Sequence, residues 1–166
     1  MKNGLAILDS GPIFSLAAIN QLHLLNHFFD EIKIPKAVWE EVILNNQASD
    51  LEKIKVFFAI KVHQIEKPNR LLLTMDYGES EAVTLYQEMK ANYLLIDDKK
   101  ARKRAEGFGV NCIGTLGLLI SAKSKGLIFE LRPLFMMLLQ RKRYFSIQLL
   151  NQILIEEKEQ LITIKT

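Results

Sequence analysis

Short apolar runs alternate along the chain with longer stretches in which apolar positions recur every three or four residues. Leu5-Ala6-Ile7-Leu8 reads as a buried strand, stopped by Asp9-Ser10-Gly11-Pro12, where Pro12 suits the first turn of a helix. Two short helices follow to about Phe29. Glu31 to Ile34 is a second strand, and Pro35 opens a helix through Leu44. Residues 48 to 58 read as helix and 60 to 65 as extended chain. Asp76-Tyr77-Gly78-Glu79 resembles a capping box, and the stripe Ala82, Leu85, Tyr86, Met89 carries that helix over 78 to 90. Tyr93 to Ile96 and Val110 to Ile113 are further strands, separated by a basic helix from Asp98 to Glu106 that Gly107 and Gly109 stop. A helix begins at Gly114-Thr115 and runs to about Lys125, and from Glu130 the pattern is a helical pair whose second member is capped by Ser146.

Strands alternating with helices predict a mainly parallel sheet in a three-layer α/β/α sandwich, with ligands at the carboxyl ends of the strands. A chain of 166 residues suits one domain, with a core over 1–128 and a C-terminal helical extension over 129–166. Composition agrees: 49% hydrophobic and 25% charged residues are globular values, and the apolar runs are too short to span a membrane. The single Cys112 allows no internal disulfide and the N-terminal run lacks a signal-peptide core, so a reducing cytoplasm is expected. A net charge of +3 does not itself imply nucleic acid, but Lys99, Lys100, Arg102, Lys103 and Arg104 crowd one helix and Arg141-Lys142-Arg143 form a second cluster.

The acids carry the chemistry. Asp9 follows the first strand and Asp97-Asp98 follow Tyr93–Ile96, so both groups fall on the ligand-binding edge. Glu41 lies between Val38 and Val42 on an apolar helix face, whereas Glu40 points away; Glu79 falls nearer its apolar stripe than Glu81. No Lys or Arg is evident facing inward beside them. Neighbouring carboxylates raise one another's pKa, a conflict that a hard cation resolves, and oxygen-only ligands suit Mg²⁺ or Mn²⁺. Each acid also has an ordinary structural use: Asp98 as a helix cap, Glu79 in the capping box, Asp9 as a turn residue. Thr115 reads equally as a cap or as a hydroxyl at the site. His23 and His27 lack a third ligand and read as surface or core residues, and Cys112 as a strand residue. Gly109 to Gly114 has the glycine spacing of a phosphate loop, but Thr115 stands where its lysine belongs.

The order of these elements and acids resembles the PIN-domain nucleases, through Ile7-Leu8-Asp9-Ser10, Ile34-Pro35-Lys36-Ala37-Val38-Trp39-Glu40-Glu41-Val42, Gly78-Glu79-Ser80-Glu81-Ala82-Val83, Leu94-Leu95-Ile96-Asp97-Asp98-Lys99-Lys100-Ala101-Arg102 and Gly114-Thr115-Leu116-Gly117. Within that superfamily the chain is most similar to a prokaryotic PIN-like subfamily related to VapC-type toxins. The resemblance implies a Mg²⁺- or Mn²⁺-dependent endoribonuclease, often a homodimer and often neutralised by a small antitoxin. It matches Asp9, Glu41, Glu79 and Asp98 to the acidic quartet, leaves Glu81 and Asp97 as second candidates for the metal, and places Thr115 near it. Lys99, Arg102 and Lys103 are expected to grip RNA backbone. The rival expectation is a catalytically silent PIN-like module that binds RNA or protein.

Overall fold

The computed structural model describes residues 2–45 and 48–163. Three apolar segments and two short edge strands form a five-stranded sheet, parallel throughout, in the order β3-β2-β1-β4-β5. The strands are β1 (Leu5–Leu8), β2 (Glu31–Pro35), β3 (Val62–His63), β4 (Tyr93–Leu95) and β5 (Cys112–Ile113). The helices are α1 (Ser10–Ala18), α2 (Leu24–Phe28), α3 (Lys36–Asn45), α4 (Ala48–Phe58), α5 (Tyr77–Met89), α6 (Lys99–Gly107), α7 (Thr115–Ser124), α8 (Arg132–Gln140) and α9 (Ile147–Glu156). A single 3₁₀ turn at Arg70–Leu73, which the apolar pattern did not announce, precedes α5.

The chain builds outward from β1 to β2 and β3, then returns to the other side of β1 for β4 and β5. With right-handed crossovers, that reversal puts helices on both faces and makes the sandwich the pattern predicted. β1 is central and pairs in register with both neighbours, Ile7 opposite Lys33 on one side and Leu94 on the other. Its side chains alternate between faces, and Ala6, Ile7 and Leu8 are all buried, so neither face of the strand meets water. On one face Ile7, Leu94 and Ile96 pack with Ala82, Val83 and Leu85 of α5 and with Ala101 and Ala105 of α6. This layer holds α5 and α6 against the strand ends where the acids emerge.

Boundaries differ from expectation by small amounts. Pro35 ends β2 rather than opening α3, which begins at Lys36. β4 stops at Leu95, one residue short of the predicted end. The chain divides into two compact units, Met1–Thr115 and Leu116–Thr166. Within the second unit, Lys123 on α7 bonds with Glu157 and Glu159. In the second unit the Glu159 carboxylate also accepts the N–H groups of Leu131 and Arg132, closing the start of α8, while Asn151 on α9 makes a reciprocal pair of bonds with the backbone of Ile162. No helix among the described residues is long and apolar enough to cross a membrane.

Candidate functional site

Asp9 leaves the end of β1 as the residue before α1, with backbone N–H donated to the Leu95 carbonyl of β4. Its side chain is 6% exposed, and Oδ1 is buried with no hydrogen-bond partner. Burial pushes the Asp9 carboxyl up to about 7; the Ser10 N–H opposes that rise, and the carboxylates of Glu41, Glu79 and Asp97 add to it. One point beside Gly78 shows how tight the cluster is: a methyl group there would lie 2.8 Å from Glu41 Oε2 and 3.9 Å from Asp9 Oδ1. Glycine at this position in α5 leaves room between the two acids.

Glu41 reaches the cluster from α3 in the helical phase expected of it. Ser10 Oγ donates to its Oε1 at 3.0 Å, while Glu40 is exposed and pairs with Lys36 at 3.9 Å. The phase expected of α5 is not observed. Glu81 is the buried member of that pair and Glu79 the half-buried one. The cause lies far along the chain, because Glu81 Oε1 accepts the N–H of Ala37 at 3.1 Å and so satisfies a donor left open at the start of α3. Glu81 is thereby committed to holding the helix that carries Glu41. Glu79 has its pKa raised, chiefly by burial and then by Asp76, and draws on the Asp76 N–H. That is half of the predicted capping box, since the Asp76 side chain makes no cap bond in return.

At the end of β4 the doubled acids part. Asp98 is exposed and accepts the Ala101 N–H at 2.8 Å, acting as the N-cap of α6 on the side toward Glu79. Asp97 instead turns toward Asp9, close enough that a side chain on Gly11 would touch it. Thr115 grips it: the Thr115 N–H donates to Oδ1 and the hydroxyl to Oδ2, each at 2.7 Å. Thr115 is fully buried, so its hydroxyl serves Asp97.

Arg102 departs from its expected role at the surface. It is half-buried, its Nη2 donates to the Ile96 carbonyl at 3.2 Å, and its Nε is buried without a partner. Gly114 makes the space: a methyl there would lie 2.6 Å from Arg102 Nη2 and 3.2 Å from Asp97 Oδ1. An inward-facing cation therefore stands beside the acids, contrary to the sequence reading. Arg102 follows the buried Ala101 on α6, and the side-chain-free Gly114, 12 residues on, gives its guanidinium room. Lys99 and Lys103 are exposed as expected. His23 and His27 are exposed, their rings edge to face at 6.3 Å, and the Cys112 thiol is pushed up to about 11, chiefly by burial.

Among the described residues, no three carboxylate, histidine or cysteine side chains already stand together as a cage for an ion. The fit to a hard cation rests on two other facts: a buried carboxylate oxygen lacks any partner, and the groups nearest it offer oxygen only.

A family model, that of a PIN domain, matches residues 5–159. Among solved structures, the fold is similar to a PilT N-terminus domain protein, SSO1118, from the hyperthermophilic archaeon Sulfolobus solfataricus P2, at 20% identity and a TM-score of 0.53, covering 71% of this chain and 92% of that one. It is similar also to PAE2754 from Pyrobaculum aerophilum, at 13% identity and a TM-score of 0.50, covering 74% of this chain and 91% of that one. At these identities the likeness is one of fold. No curated protein matches the chain.

Proposed function

The chain belongs to the PIN-domain family, whose members are generally metal-dependent nucleases, and on that premise we propose that it is an endoribonuclease dependent on Mg²⁺ or Mn²⁺. One observation carries the reading: Asp9 presents a buried, unpartnered carboxylate oxygen to a space bordered by Glu41, Glu79 and Asp97. A fold that keeps such a group at its central strand needs a compensating charge.

In this reading Asp9, Glu41, Glu79 and Asp97 hold the cation, and Asp97 takes the fourth place in preference to its neighbour. When bound, the ion supplies Lewis acidity toward a phosphodiester and the water that attacks it. The remaining residues orient. Ser10 steers Glu41, Glu81 fixes the first turn of α3 beneath it, Thr115 holds both oxygens of Asp97, and Asp98 secures α6. Gly78 and Gly114 leave the space in which these groups approach one another. Lys99 and Lys103, exposed on α6, contact the backbone of a single-stranded RNA, while Arg102 stays within the fold as the counter-charge beside Asp97.

The test is cleavage of a labelled single-stranded RNA by protein freed of metal and then given Mn²⁺. Cleavage should appear only with the ion and should be lost in Asp9→Asn. A protein that binds Mn²⁺ by calorimetry yet cleaves none of a varied RNA set would be the silent module instead. Cleavage that survives Asp9→Asn would place the active centre elsewhere.

A further inference from the structure

The second unit contains a basic and aromatic turn that the acidic site does not use. Residues 131 to 155 include no Asp or Glu, yet they carry Arg132, Arg141, Lys142 and Arg143. The last three occupy the turn after α8, directly before Tyr144, whose side chain is 95% exposed. The turn is preformed. The Lys142 N–H donates to the Leu139 carbonyl at 3.1 Å and the Arg143 N–H to the Leu138 carbonyl at 2.9 Å, the paired closure of a helix that ends in a left-handed residue. Lys142 is that residue, with φ +56°. A further bond from the Phe145 N–H to the Arg143 carbonyl, at 2.9 Å, fixes the backbone on either side of the tyrosine.

Parts of this arrangement have ordinary explanations. Cations at a helix C-terminus face its carbonyl partial charges, and left-handed lysines also follow α5 and α9, at Lys90 and Lys158. Neither explains why a tyrosine ring stands in water at the end of three consecutive cations. Other exposed apolar side chains, such as Leu73 and Phe129, have no such run beside them.

We infer that the turn Arg141-Lys142-Arg143-Tyr144 is a contact site for single-stranded nucleic acid, in which the Tyr144 ring stacks on one base while Arg141 and Lys142 meet the adjoining phosphates. The class of ligand rests on the nuclease reading above; the placement rests on the turn itself. A ring already held by its backbone loses little freedom when a base settles on it, and stacking of this kind accepts any base. Duplexes offer no unstacked base, so the ring discriminates single strands from double ones. Each cation in contact with a phosphate adds a counterion-release term to the salt dependence.

The experiment uses the full chain carrying Asp9→Asn, in EDTA, with a fluorescent 12-nucleotide RNA of mixed sequence followed by anisotropy across a salt series. Binding is thereby read apart from cleavage, so a wild-type protein that never cuts RNA refutes the nuclease reading while leaving this result intact. Tyr144→Ala should weaken single-strand binding by about 5- to 150-fold. Tyr144→Phe should bind as well as its parent, because the ring face is kept. The pair Arg141→Ala and Lys142→Ala should make the salt slope shallower by about 1.4, at about 0.7 for each lost phosphate contact. Binding to a duplex of the same length should not respond to Tyr144→Ala. The inference is overturned by a Tyr144→Ala variant, folded by circular dichroism, that binds the single strand as its parent does. It is overturned equally by the same loss for duplex and single strand, or by a variant that loses binding only to anionic phospholipid vesicles.

Discussion

Asp9 and Glu159 are both carboxylates held in the protein at points where chain segments meet, and they are treated in opposite ways. Glu159 is surrounded by donors: Lys123 Nζ at 2.8 Å and the N–H groups of Leu131 and Arg132, both at 2.9 Å. Burial alone would raise its pKa, but these donors outweigh it and the carboxyl is held below its ordinary range. Asp9 is surrounded by other acids, its Oδ1 has no partner, and its pKa rises to about 7. A carboxylate that stabilises a fold collects donors, whereas Asp9 is held at a cost that the proposed cation would offset.

The contrast predicts a crossed pattern of effects. Asp9→Asn should lower metal-dependent cleavage by two to three orders of magnitude, about the loss seen when a preorganised electrostatic group is removed from an active site. It should also raise the melting temperature of the metal-free protein at pH 8, because it deletes an unpaired buried charge. Cleavage assays and a thermal melt on the same preparation check both; a variant that loses stability as well as activity would make Asp9 a structural acid like Glu159.

Thr115→Val sharpens the comparison from within the site. It removes the hydroxyl from Asp97 and keeps the volume, and it should reduce Mn²⁺ affinity or activity by about 10- to 100-fold, as loss of a supporting group around a metal ligand does. Titration calorimetry with Mn²⁺ reads this directly. Glu159→Gln should do the reverse of Asp9→Asn: a loss of about 1–2 kcal/mol in stability, after allowance for solvent screening, with cleavage per folded molecule unchanged. Urea denaturation followed by activity measured in buffer distinguishes the two.

The pH profiles should also diverge. Asp9 has a folded pKa near 7 against an ordinary 3.8, so its contribution to the metal-free fold is fully present below about pH 4 and is lost as pH rises through 7. Glu159 is shifted downward, so its contribution is present above its ordinary 4.5 and is lost as pH falls. Melting temperatures across pH 3 to 9 should therefore show a decline from about pH 4 to 7 that Asp9→Asn abolishes and a decline below the ordinary Glu range that Glu159→Gln abolishes. The smallest effect belongs to the surface. Lys99→Ala and Lys103→Ala should each make the salt slope of RNA binding shallower by about 0.7 without changing any melt, and unchanged slopes would return both lysines to plain solvated positions.

The layout of the sheet was legible because hydrophobic period and glycine or proline punctuation are local properties. Asp9 and Glu41 were legible for the same reason, one from its place after a strand and the other from its helical phase. The doubled acids were not. Asp97 and Asp98 are adjacent at a strand end, and which of them turns inward depends on β4 ending at Leu95 and on Thr115 waiting 18 residues later. Glu81 reads as farther than Glu79 from the apolar stripe because α5 alone contains no sign of the Ala37 N–H, 44 residues away. Arg102 is expected beside Lys99 and Lys103 on the RNA backbone because a space beside Gly114 has no signature in α6 itself. In each case the deciding partner was a hydrogen-bond donor or an absent side chain on a distant segment.

Gly78 gives this kind of absence a consequence for how the protein can change. In a helix interior, alanine ordinarily replaces glycine with a gain in stability of about 0.5–1 kcal/mol, and Gly78 stands one residue inside the start of α5. Here the added methyl would enter the gap between Glu41 and Asp9, 2.8 Å from the Glu41 oxygen. Under the proposed metal-dependent reading, selection for thermal robustness and selection for activity act on this one position in opposite directions. A laboratory lineage evolved only to survive heating would be expected to acquire alanine at Gly78, with the Glu41 side chain displaced and the gap beside Asp9 closed.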